Sequence, residues 1–409
     1  MIRLSPGSTG DPCRPASRMS GAQLSEISRI GEMVRELHRG GRPVNALHTG
    51  EPDSNTPEHI IEAALEAALR GETHYTATGG TQELREAIAQ SMASENGFSV
   101  NPSEVIVSTG AKQVLFNALM ATLDDGDEVL LPTPFWASYT DIIRICGGAH
   151  VALETHPEDG FRLRPETLRA AITPKTRWLI LNSPGNPSGA VLSRQDNEAL
   201  AEVLREAPHV GVISDEIYQH ICYVPFTSFR TAAPDLADRT LIVHGASKTY
   251  AMTGWRLGWG VGPTALIKSM GTVQGQVTAG ASSISQAGAL AALRGPQDFR
   301  QEQNARYRVR RDLVVNALDG IELLHCPSPD GAFYVFCDCT ATFGKITPIG
   351  TRITDDAAFC YALLQEHGVS LVPGRAFGKL GYFRLSFACD TDSLSSACET
   401  VGQFCAALR

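Results

Sequence analysis

The sequence of 409 residues lacks the features of several large classes of protein. No apolar run approaches the roughly 20 residues that a membrane-spanning helix needs, and no apolar segment near the amino terminus is suited to a signal peptide. Cationic residues are outnumbered, since 35 Lys and Arg stand against 44 Asp and Glu and leave a formal net charge of −9. This acidic balance argues against broad binding of nucleic acid or of anionic membranes, because both need a basic surface.

The ten cysteines form no pattern typical of a disulfide framework or of a zinc site. No CxxC pair occurs, and the CxC pair of Cys337 and Cys339 ends an apolar run that predicts a strand. The 43% of hydrophobic and 19% of charged residues are typical of ordinary globular domains. We therefore expect a soluble, cytoplasmic protein whose cysteines stay reduced.

The first 300 residues contain an alternation of helical patterns and short apolar runs. Residues 1–20 are rich in Pro, Gly and Ser and are interpreted as a flexible leader, and residues 21–39 predict a short helix. Helical patterns at 57–69 and 82–94 precede the apolar runs. These runs lie at 105–109, 128–134, 150–154, 178–184, 210–216, 240–247 and 257–262. The alternation predicts an α/β fold with three layers, in which helices cover both faces of a mainly parallel sheet.

The pattern changes after about residue 300, where a smaller α+β domain is predicted. Its predicted helices lie at 299–318, 354–367 and the carboxyl terminus, and its predicted strands at 332–338, 369–374 and 382–388. The chain thus divides into the leader at 1–20, an N-terminal segment at 21–56 that packs with the small domain, a large domain at 57–300 and the small domain at 301–409.

Chemically active side chains follow several of the predicted strands, where parallel sheets place their ligands. Asp215 ends the run at 210–216, and Lys248 follows the run at 240–247, with Arg256 eight residues further on. A neighbouring cation and partial burial lower the pKa of a lysine, which makes the amine nucleophilic toward aldehydes. Asn186 lies in the turn after 178–184, between a glycine and a proline. Each residue alone is also compatible with a solvated charge or a plain turn.

A further strand end carries STGAK at 108–112, followed by a helical pattern. Small residues at a helix start leave N–H groups that can bind an anion. Neither a P-loop nor a dinucleotide-binding GxGxxG motif is present, so the sequence indicates neither P-loop nucleotide binding nor dinucleotide binding. An acid, a lysine, an amide, an arginine and an anion site at the ends of one sheet are together suited to a phosphorylated aldehyde.

Eight segments of the sequence resemble the class I aminotransferases, which are fold-type I enzymes that use pyridoxal 5'-phosphate (PLP), and in particular their bacterial aspartate aminotransferase subgroup. The similarity extends from about residue 24 to the carboxyl terminus. The segment around Lys248, GASKTYAMTGWRLGW at 245–259, is highly specific. The other segments are GEPDSNTPEHI (50–60), GETHYTATGGTQELREAI (71–88), STGAKQVLFNALMATL (108–123), LNSPGNPSGAV (181–191), SDEIYQH (214–220), DGAFYVF (330–336) and YFRLSFA (382–388).

The resemblance implies a PLP-dependent transaminase that moves an amino group between an L-amino acid and a 2-oxo acid by a ping-pong mechanism. The resemblance also implies that the large domain binds PLP. Lys248 would bind the cofactor covalently and then move a proton as base and acid, and Asp215 would keep the ring nitrogen protonated. Asn186 and Tyr218 would hydrogen-bond the ring's hydroxyl oxygen, and Trp136 would stack on the ring.

The resemblance also assigns residues to the phosphate and to the substrate. Arg384 would hold the substrate α-carboxylate in a bidentate contact, near Gly50 and next to Trp136 and Asn186. Tyr75 would reach the phosphate site of a partner subunit, so a homodimer with shared active sites is implied. The cofactor phosphate would be held by Ser247, Arg256 and the backbone of Gly110, Ala111 and Lys112.

Three departures from the family pattern bear on the substrate and the cofactor. Relatives carry a basic residue followed by Pro-Ser-x-Thr, which helps to recognise the distal carboxylate of a dicarboxylic substrate, whereas residues 23–27 here read QLSEI. His48 and Thr49 replace small residues, and His48 is interpreted either as a substrate contact or as a structural histidine. Gly245 stands where many enzymes of this fold carry a hydroxyl residue, although glycine is also frequent in the bacterial subgroup.

Two alternative functions remain open from the sequence. A PLP-dependent lyase, cyclase or oxidase of a specialised biosynthetic pathway would use the same Lys248, Asp215 and Arg384. A PLP-binding regulatory module without catalysis is the other alternative, although the leader is too short for a fused DNA-binding domain. The expected partners are a small amino acid and a 2-oxo acid, with no nucleic acid, membrane or metal ion.

Overall fold

The computed structural model describes residues 13–19 and 26–409. Most of the predicted leader at 1–20 and the first part of the predicted helix, 21–25, therefore lie outside the described residues. The first α-helix of the described part, α1, is Glu26–Arg39. No helix within the described ranges is long and apolar enough to cross a membrane.

The strands and helices follow one another in the alternation that the sequence predicts. The strands are β1 (Asn45–Ala46), β2 (Val105–Ser108), β3 (Glu128–Pro132), β4 (Ala149–Leu153), β5 (Thr176–Asn182), β6 (Gly211–Asp215), β7 (Thr240–Gly245), β8 (Gly258–Val261), β9 (Tyr334–Asp338), β10 (Val369–Ser370), β11 (Val372–Pro373) and β12 (Tyr382–Ser386). The α-helices after α1 are α2 (Glu58–Leu69), α3 (Gln82–Ser91), α4 (Ala111–Thr122), α5 (Ser138–Ile145), α6 (Pro165–Ala171), α7 (Arg194–Glu206), α8 (Phe229–Ala232), α9 (Ala246–Thr249), α10 (Thr264–Val277), α11 (Ser283–Arg294), α12 (Asp298–Asp319), α13 (Asp356–His367) and α14 (Thr391–Ala407).

Seven strands form one large sheet in the order β2-β8-β7-β6-β5-β3-β4. β8 is antiparallel to its two neighbours, β2 and β7, and the other four pairings are parallel, so the sheet is mainly parallel, as predicted. Each of the seven predicted apolar runs supplies one strand. The run at 240–247 was predicted too long, because the strand ends at Gly245 and the next residues form the short helix α9.

Helices cover both faces of the large sheet, which confirms the three-layer α/β prediction. Successive strand residues face opposite sides. Val129 and Leu131 of β3 pack in a core with residues of α4, α5 and α10, whereas Leu130 packs on the other side with residues of α6 and α7. Because both faces are buried, the strands appear in the sequence as continuous apolar runs.

A second, three-stranded sheet has the order β11-β12-β9, and β1 pairs in parallel with β10. The predicted single strand at 369–374 was wrong. Its first half pairs with β1 and its second half with β12, because each half meets a different neighbouring strand. The division of the chain at residues 20, 56 and 300 stays a prediction, which the separate sheets support.

Candidate active site

A cavity of about 380 Å³ lies at the carboxyl ends of β5, β6 and β7 and extends to β9 and β12. It brings together eleven of the thirteen predicted site residues. These are Gly50, Ala111, Lys112, Trp136, Asn186, Asp215, Tyr218, Ser247, Lys248, Arg256 and Arg384. The lining is completed by Ile27, Ser28, Leu115, Ser138, Tyr139, Asn182, Ile217, Thr253 and Tyr334.

Asp215 is the last residue of β6 and is buried. The hydroxyl of Tyr139 donates to Oδ2 over 2.7 Å, and the backbone N–H of Ile217 donates to Oδ1 over 3.3 Å. Burial nevertheless raises the pKa of the Asp215 carboxyl to about 6, because desolvation outweighs these hydrogen bonds. A cationic group bound beside this carboxyl would hold it ionised.

Lys248 lies on α9, directly after β7. Its Nζ donates to the carbonyl oxygen of Gly50 over 2.5 Å. Burial, together with the nearby Arg256 and Arg384, lowers the pKa of the Lys248 amine to about 8, although the charge of Glu51 opposes this shift. The unprotonated amine, which a nucleophile toward an aldehyde requires, is therefore far more populated near neutral pH than in an ordinary lysine.

The start of α4 forms an anion-binding concavity next to Arg256. The first N–H groups of a helix have no partner within it, and here they follow Gly110, which has φ +85°. A Cβ at Gly110 would lie 2.5 Å from an Nη of Arg256, so only glycine allows the guanidinium to approach. Ser247 adds a hydroxyl to the same cavity. Such a group of donors is suited to a phosphate.

Arg384 is fully buried in β12, with 1% of its surface exposed. Its Nη1 donates to Oδ1 of Asn186 over 2.9 Å, and its Nη2 donates to the carbonyl oxygen of His48 over 2.7 Å. Both acceptors are neutral, and Nε has no partner in the described part of the chain. A buried guanidinium without a carboxylate carries an uncompensated charge, which a bound anion would neutralise.

Lys112 and Trp136 form another wall of the cavity. The Nζ of Lys112 lies 4.7 Å from the centre of the Trp136 ring and donates to Oγ of Ser138 over 3.2 Å. Burial, reinforced by Arg256, lowers the pKa of the Lys112 amine. Trp136 is only partly buried and faces the cavity, so it is available to a ligand.

Three residues singled out in the sequence do not line this cavity. Gly110 directly precedes the lining residue Ala111, at the start of α4. Tyr75 is 94% exposed and lies on another surface of the chain. His48 is buried, and its Nδ1 lies 2.8 Å from Oγ of Ser370. Burial, with Arg384 and Arg35 nearby, lowers the pKa of His48 to about 4. This neutral, hydrogen-bonded imidazole fits the interpretation as a structural histidine.

Comparison with known proteins identifies the family. Residues 42–401 match the family described as aminotransferase class I and II. An aspartate aminotransferase of Rhizobium meliloti is 50% identical over 394 residues, which are 96% of each chain. An aspartate/prephenate aminotransferase of Cereibacter sphaeroides is 46% identical over 94% of this chain and 96% of its own.

Solved structures agree with the sequence relatives. The crystal structure of the Rhizobium meliloti aspartate aminotransferase gives a TM-score of 0.94 at 50% identity, with 97% of this chain and 100% of that chain covered. The Thermus thermophilus aspartate aminotransferase with maleate gives 0.89 at 41% identity, with 96% and 100% covered. The chain belongs to the class I and II aminotransferases.

This aminotransferase transfers an amino group between an amino acid and a 2-oxo acid and uses PLP, as its family does. The resemblance, the fold class, the cofactor and the transaminase activity predicted from the sequence are thereby confirmed. The lyase, cyclase or oxidase alternative is not favoured, because the relatives are aminotransferases.

The residues of this aminotransferase's cavity fit PLP. The phosphate is suited to the helix start at Gly110, where a Cβ would collide with Arg256. The aldehyde is suited to the amine of Lys248. The protonated ring nitrogen is suited to the buried carboxyl of Asp215, which forms no hydrogen bond with a cationic side chain of the described residues. When bound, PLP supplies an electron sink for the carbanion character that develops at the substrate Cα.

Nine lining residues were not predicted from the sequence, and the side chains of three of them hydrogen-bond to Asp215 or Tyr218. Asn182 ends β5 opposite Asp215 of β6, and its Nδ2 donates to the Asp215 carbonyl over 3.0 Å. Its position at a strand end could have identified it. Tyr139 follows Trp136 by three residues, but nothing in the sequence indicates its bond to Asp215. Tyr334 lies in an apolar strand and could not be distinguished from a core residue.

Proposed function

We propose that this aminotransferase acts on dicarboxylic amino acids, with aspartate as the amino donor. The observation that carries the proposal is that the ammonium group of Lys112 lies in the wall of the cavity. Among the described residues, four cationic side chains line the cavity, and the phosphate, the aldehyde and the α-carboxylate account for Arg256, Lys248 and Arg384. The ammonium of Lys112 is left for a second carboxylate. The names of the relatives, which are aspartate aminotransferases, support the same substrate.

Within this proposal, each residue has a defined task. Arg384 binds the α-carboxylate through the planar fork of its guanidinium. Lys248 accepts the proton from the substrate Cα, and Asp215 keeps a proton on the ring nitrogen of the cofactor. Asn186 and Tyr218 donate hydrogen bonds to the ring oxygen. The flat ring of Trp136 excludes water from the cofactor face.

Substitution of Lys112 by methionine tests the substrate. The variant keeps the backbone N–H at the helix start but removes the charge, so we expect kcat/KM for aspartate to fall about 10- to 150-fold, as for the loss of a charged hydrogen bond. The value for phenylalanine, which has no second carboxylate, is expected to stay within about threefold. Steady-state kinetics with both donors measure the two values.

Lys268→Met is a matched control, since Lys268 is exposed on α10. It is expected to leave both donors unaffected. Equal losses for aspartate and phenylalanine in Lys112→Met would show that Lys112 serves the cofactor and not the distal carboxylate.

Substitution of Arg384 by lysine tests the α-carboxylate site. Lysine keeps the charge but loses the bidentate geometry and the bond to Asn186, so KM for every amino acid is expected to rise about 10- to 150-fold. The measurement is KM for aspartate and for phenylalanine. Arg169→Lys, at an exposed pair with Glu206, is the control. An unchanged KM would place the α-carboxylate elsewhere.

We propose prephenate as an acceptor of the amino group, because part of the cavity wall is apolar. Ile27, Leu115 and Ile217 line the cavity together with the polar groups. These side chains can pack against a carboxylated ring, and the Cereibacter sphaeroides relative is an aspartate/prephenate aminotransferase. Aspartate-dependent consumption of prephenate would establish this activity, and its absence at millimolar prephenate would remove it.

We also propose a homodimer. Ile61, Leu65 and Leu69 of α2 are exposed apolar residues, and Tyr75 lies with α2 and Leu290 along one surface depression. Exposed apolar patches of this kind mark interfaces between proteins. In a dimer, the hydroxyl of Tyr75 would bind the phosphate in the partner subunit's site.

Substitution of Tyr75 by phenylalanine tests this shared site. The loss of one hydrogen bond to a charged phosphate is expected to weaken PLP retention about tenfold or more, while the mass in solution stays that of a dimer. Equilibrium dialysis measures the retention, and light scattering the mass. Undiminished retention would remove Tyr75 from the cofactor site.

A cytoplasmic location completes the proposal. The nine cysteines from Cys146 to Cys405 form no disulfide with one another, as is usual in a reducing compartment. Fractionation of cells with antibody detection of the protein tests the location.

A further inference from the structure

We propose that Tyr334 is a positioning residue that couples the substrate-binding guanidinium of Arg384 to the cofactor-binding hydroxyl of Tyr218. The proposal rests on the tasks assigned above to Arg384 and Tyr218. Tyr334 is fully buried apart from its contact with the cavity. Its ring contacts Arg384 and its hydroxyl contacts Tyr218, so different substitutions can remove the two contacts separately.

The ring of Tyr334 supports Arg384. In the sheet register, Tyr334 pairs with Ser386 and Arg384 pairs with Phe336, so Tyr334 and Arg384 are diagonal neighbours on one face. The guanidinium carbon lies 4.5 Å from the centre of the Tyr334 ring. At this desolvated position a cation–π contact holds the guanidinium in place without neutralising it, so its charge stays available to a carboxylate.

The hydroxyl of Tyr334 supports Tyr218. The two hydroxyl oxygens are 2.9 Å apart, and both side chains are buried. A Tyr218 that donates its proton to the ring oxygen of the cofactor must accept the proton of Tyr334 in this bond. Donation from Tyr334 polarises the Tyr218 hydroxyl and makes it a stronger donor, because hydrogen bonds in a chain reinforce one another.

Gly50 provides the space for this arrangement. A Cβ at Gly50 would lie 3.2 Å from the Tyr334 hydroxyl oxygen, which is closer than most real contacts. The carbonyl of the same glycine accepts the hydrogen bond from Lys248. A larger residue at this position would displace Tyr334 from Tyr218 or the segment of Gly50 from Lys248.

The test uses the PLP-loaded enzyme with Tyr334→Phe, which removes the hydroxyl, and Tyr334→Leu, which also removes the ring. One readout is the pH midpoint at which the visible absorption band of the bound cofactor changes. The other is the Kd for maleate, a dicarboxylate that cannot react. Tyr307→Phe is the matched control, because Tyr307 is a buried tyrosine of the same core that does not line the cavity.

We expect Tyr334→Phe to raise the pH midpoint by about 0.2–0.6 pH units, since the ring oxygen loses part of the hydrogen bonding that favours its ionised form. Its Kd for maleate is expected to stay within about twofold, because the ring remains. Tyr334→Leu is expected to share the raised midpoint and to bind maleate about 2- to 30-fold more weakly. Tyr307→Phe is expected to change neither value.

A midpoint in Tyr334→Phe equal to that of the wild type would overturn the coupling to Tyr218. Maleate binding by Tyr334→Leu as tight as by the wild type would overturn the support of Arg384. Melting temperatures check folding, and Tyr334→Met replaces the leucine variant if that variant does not fold. If the wild type itself binds no maleate, the dicarboxylate proposal fails, and the midpoint still decides the role of the hydroxyl.

Discussion

Replacement of Lys248 by alanine is expected to lower kcat by at least about 10²–10⁴-fold, the usual contribution of a positioned acid–base group. The side chain is the amine that lines the cavity beside Gly50, and its lowered pKa makes it both a nucleophile and a base near neutral pH. Burst and steady-state kinetics with aspartate and 2-oxoglutarate measure the loss.

A chemical readout accompanies the kinetics of Lys248→Ala. Borohydride reduction followed by peptide mass analysis is expected to find the cofactor fixed to Lys248 in the wild type and to no residue in the variant. Lys268→Ala, on the exposed side of α10, is expected to behave as the wild type. Turnover by Lys248→Ala near the wild-type rate would contradict the role of this lysine as nucleophile and base.

Replacement of Asp215 by alanine is expected to reduce kcat/KM about 100- to 4000-fold, which corresponds to about 3–5 kcal/mol for removing one partner of a buried charge pair. Without this carboxylate the ring nitrogen of the cofactor loses its proton.

In the wild type, PLP affinity is expected to weaken as the pH falls through about 6, because the Asp215 carboxyl then becomes protonated and cannot pair with the ring nitrogen. The alanine variant is expected to lose this pH dependence.

Glu216→Gln is the matched control for Asp215→Ala. Glu216 is a buried carboxyl next to Asp215, but its Oε1 accepts from Ser214, Ser228 and the N–H of Phe229, and it does not line the cavity. We expect its kcat/KM to stay within a few-fold of the wild type. A near-normal rate in Asp215→Ala, with PLP bound, would contradict the assigned role of Asp215.

Much of the fold could be predicted from the sequence because the strands of a sheet covered on both faces are continuous apolar runs. All seven such runs before residue 300 became strands of one sheet. The run at 369–374 failed because its apolar character does not show which partner each half will meet. Pairing of Val369 with Asn45 depends on a contact between residues 324 positions apart, which no local pattern contains.

The site was predictable where a residue's chemistry and its strand-end position agree. Asp215, Lys248 and the helix start at Ala111 were identified in this way and meet in one cavity. Tyr139 and Tyr334 were missed because a buried tyrosine in an apolar segment does not reveal what its hydroxyl will contact. The hydrogen bonds to Asp215 and Tyr218 are visible only in three dimensions.

The substrate specificity depends on side chains whose positions are harder to predict from the sequence than those of the cofactor site. Residues 23–27 lack the basic residue of the relatives, and only the last two of them lie within the described part of the chain. The family resemblance assigns the backbone of Lys112 to the phosphate. In the proposed function, the side chain of this residue, above Trp136, would provide the cation for a distal carboxylate. The departure in the N-terminal segment is therefore compatible with a dicarboxylic substrate.

The most direct test of the central claim is a half-reaction without a 2-oxo acid. Purified PLP-loaded enzyme is mixed with a series of L-amino acids, including aspartate, glutamate and phenylalanine, and its absorption spectrum is recorded over time. We predict that the absorption of the aldehyde form of the cofactor is replaced by that of the pyridoxamine form, fastest with aspartate. A spectrum that returns to its starting state while product accumulates would contradict transamination and would indicate a lyase or cyclase.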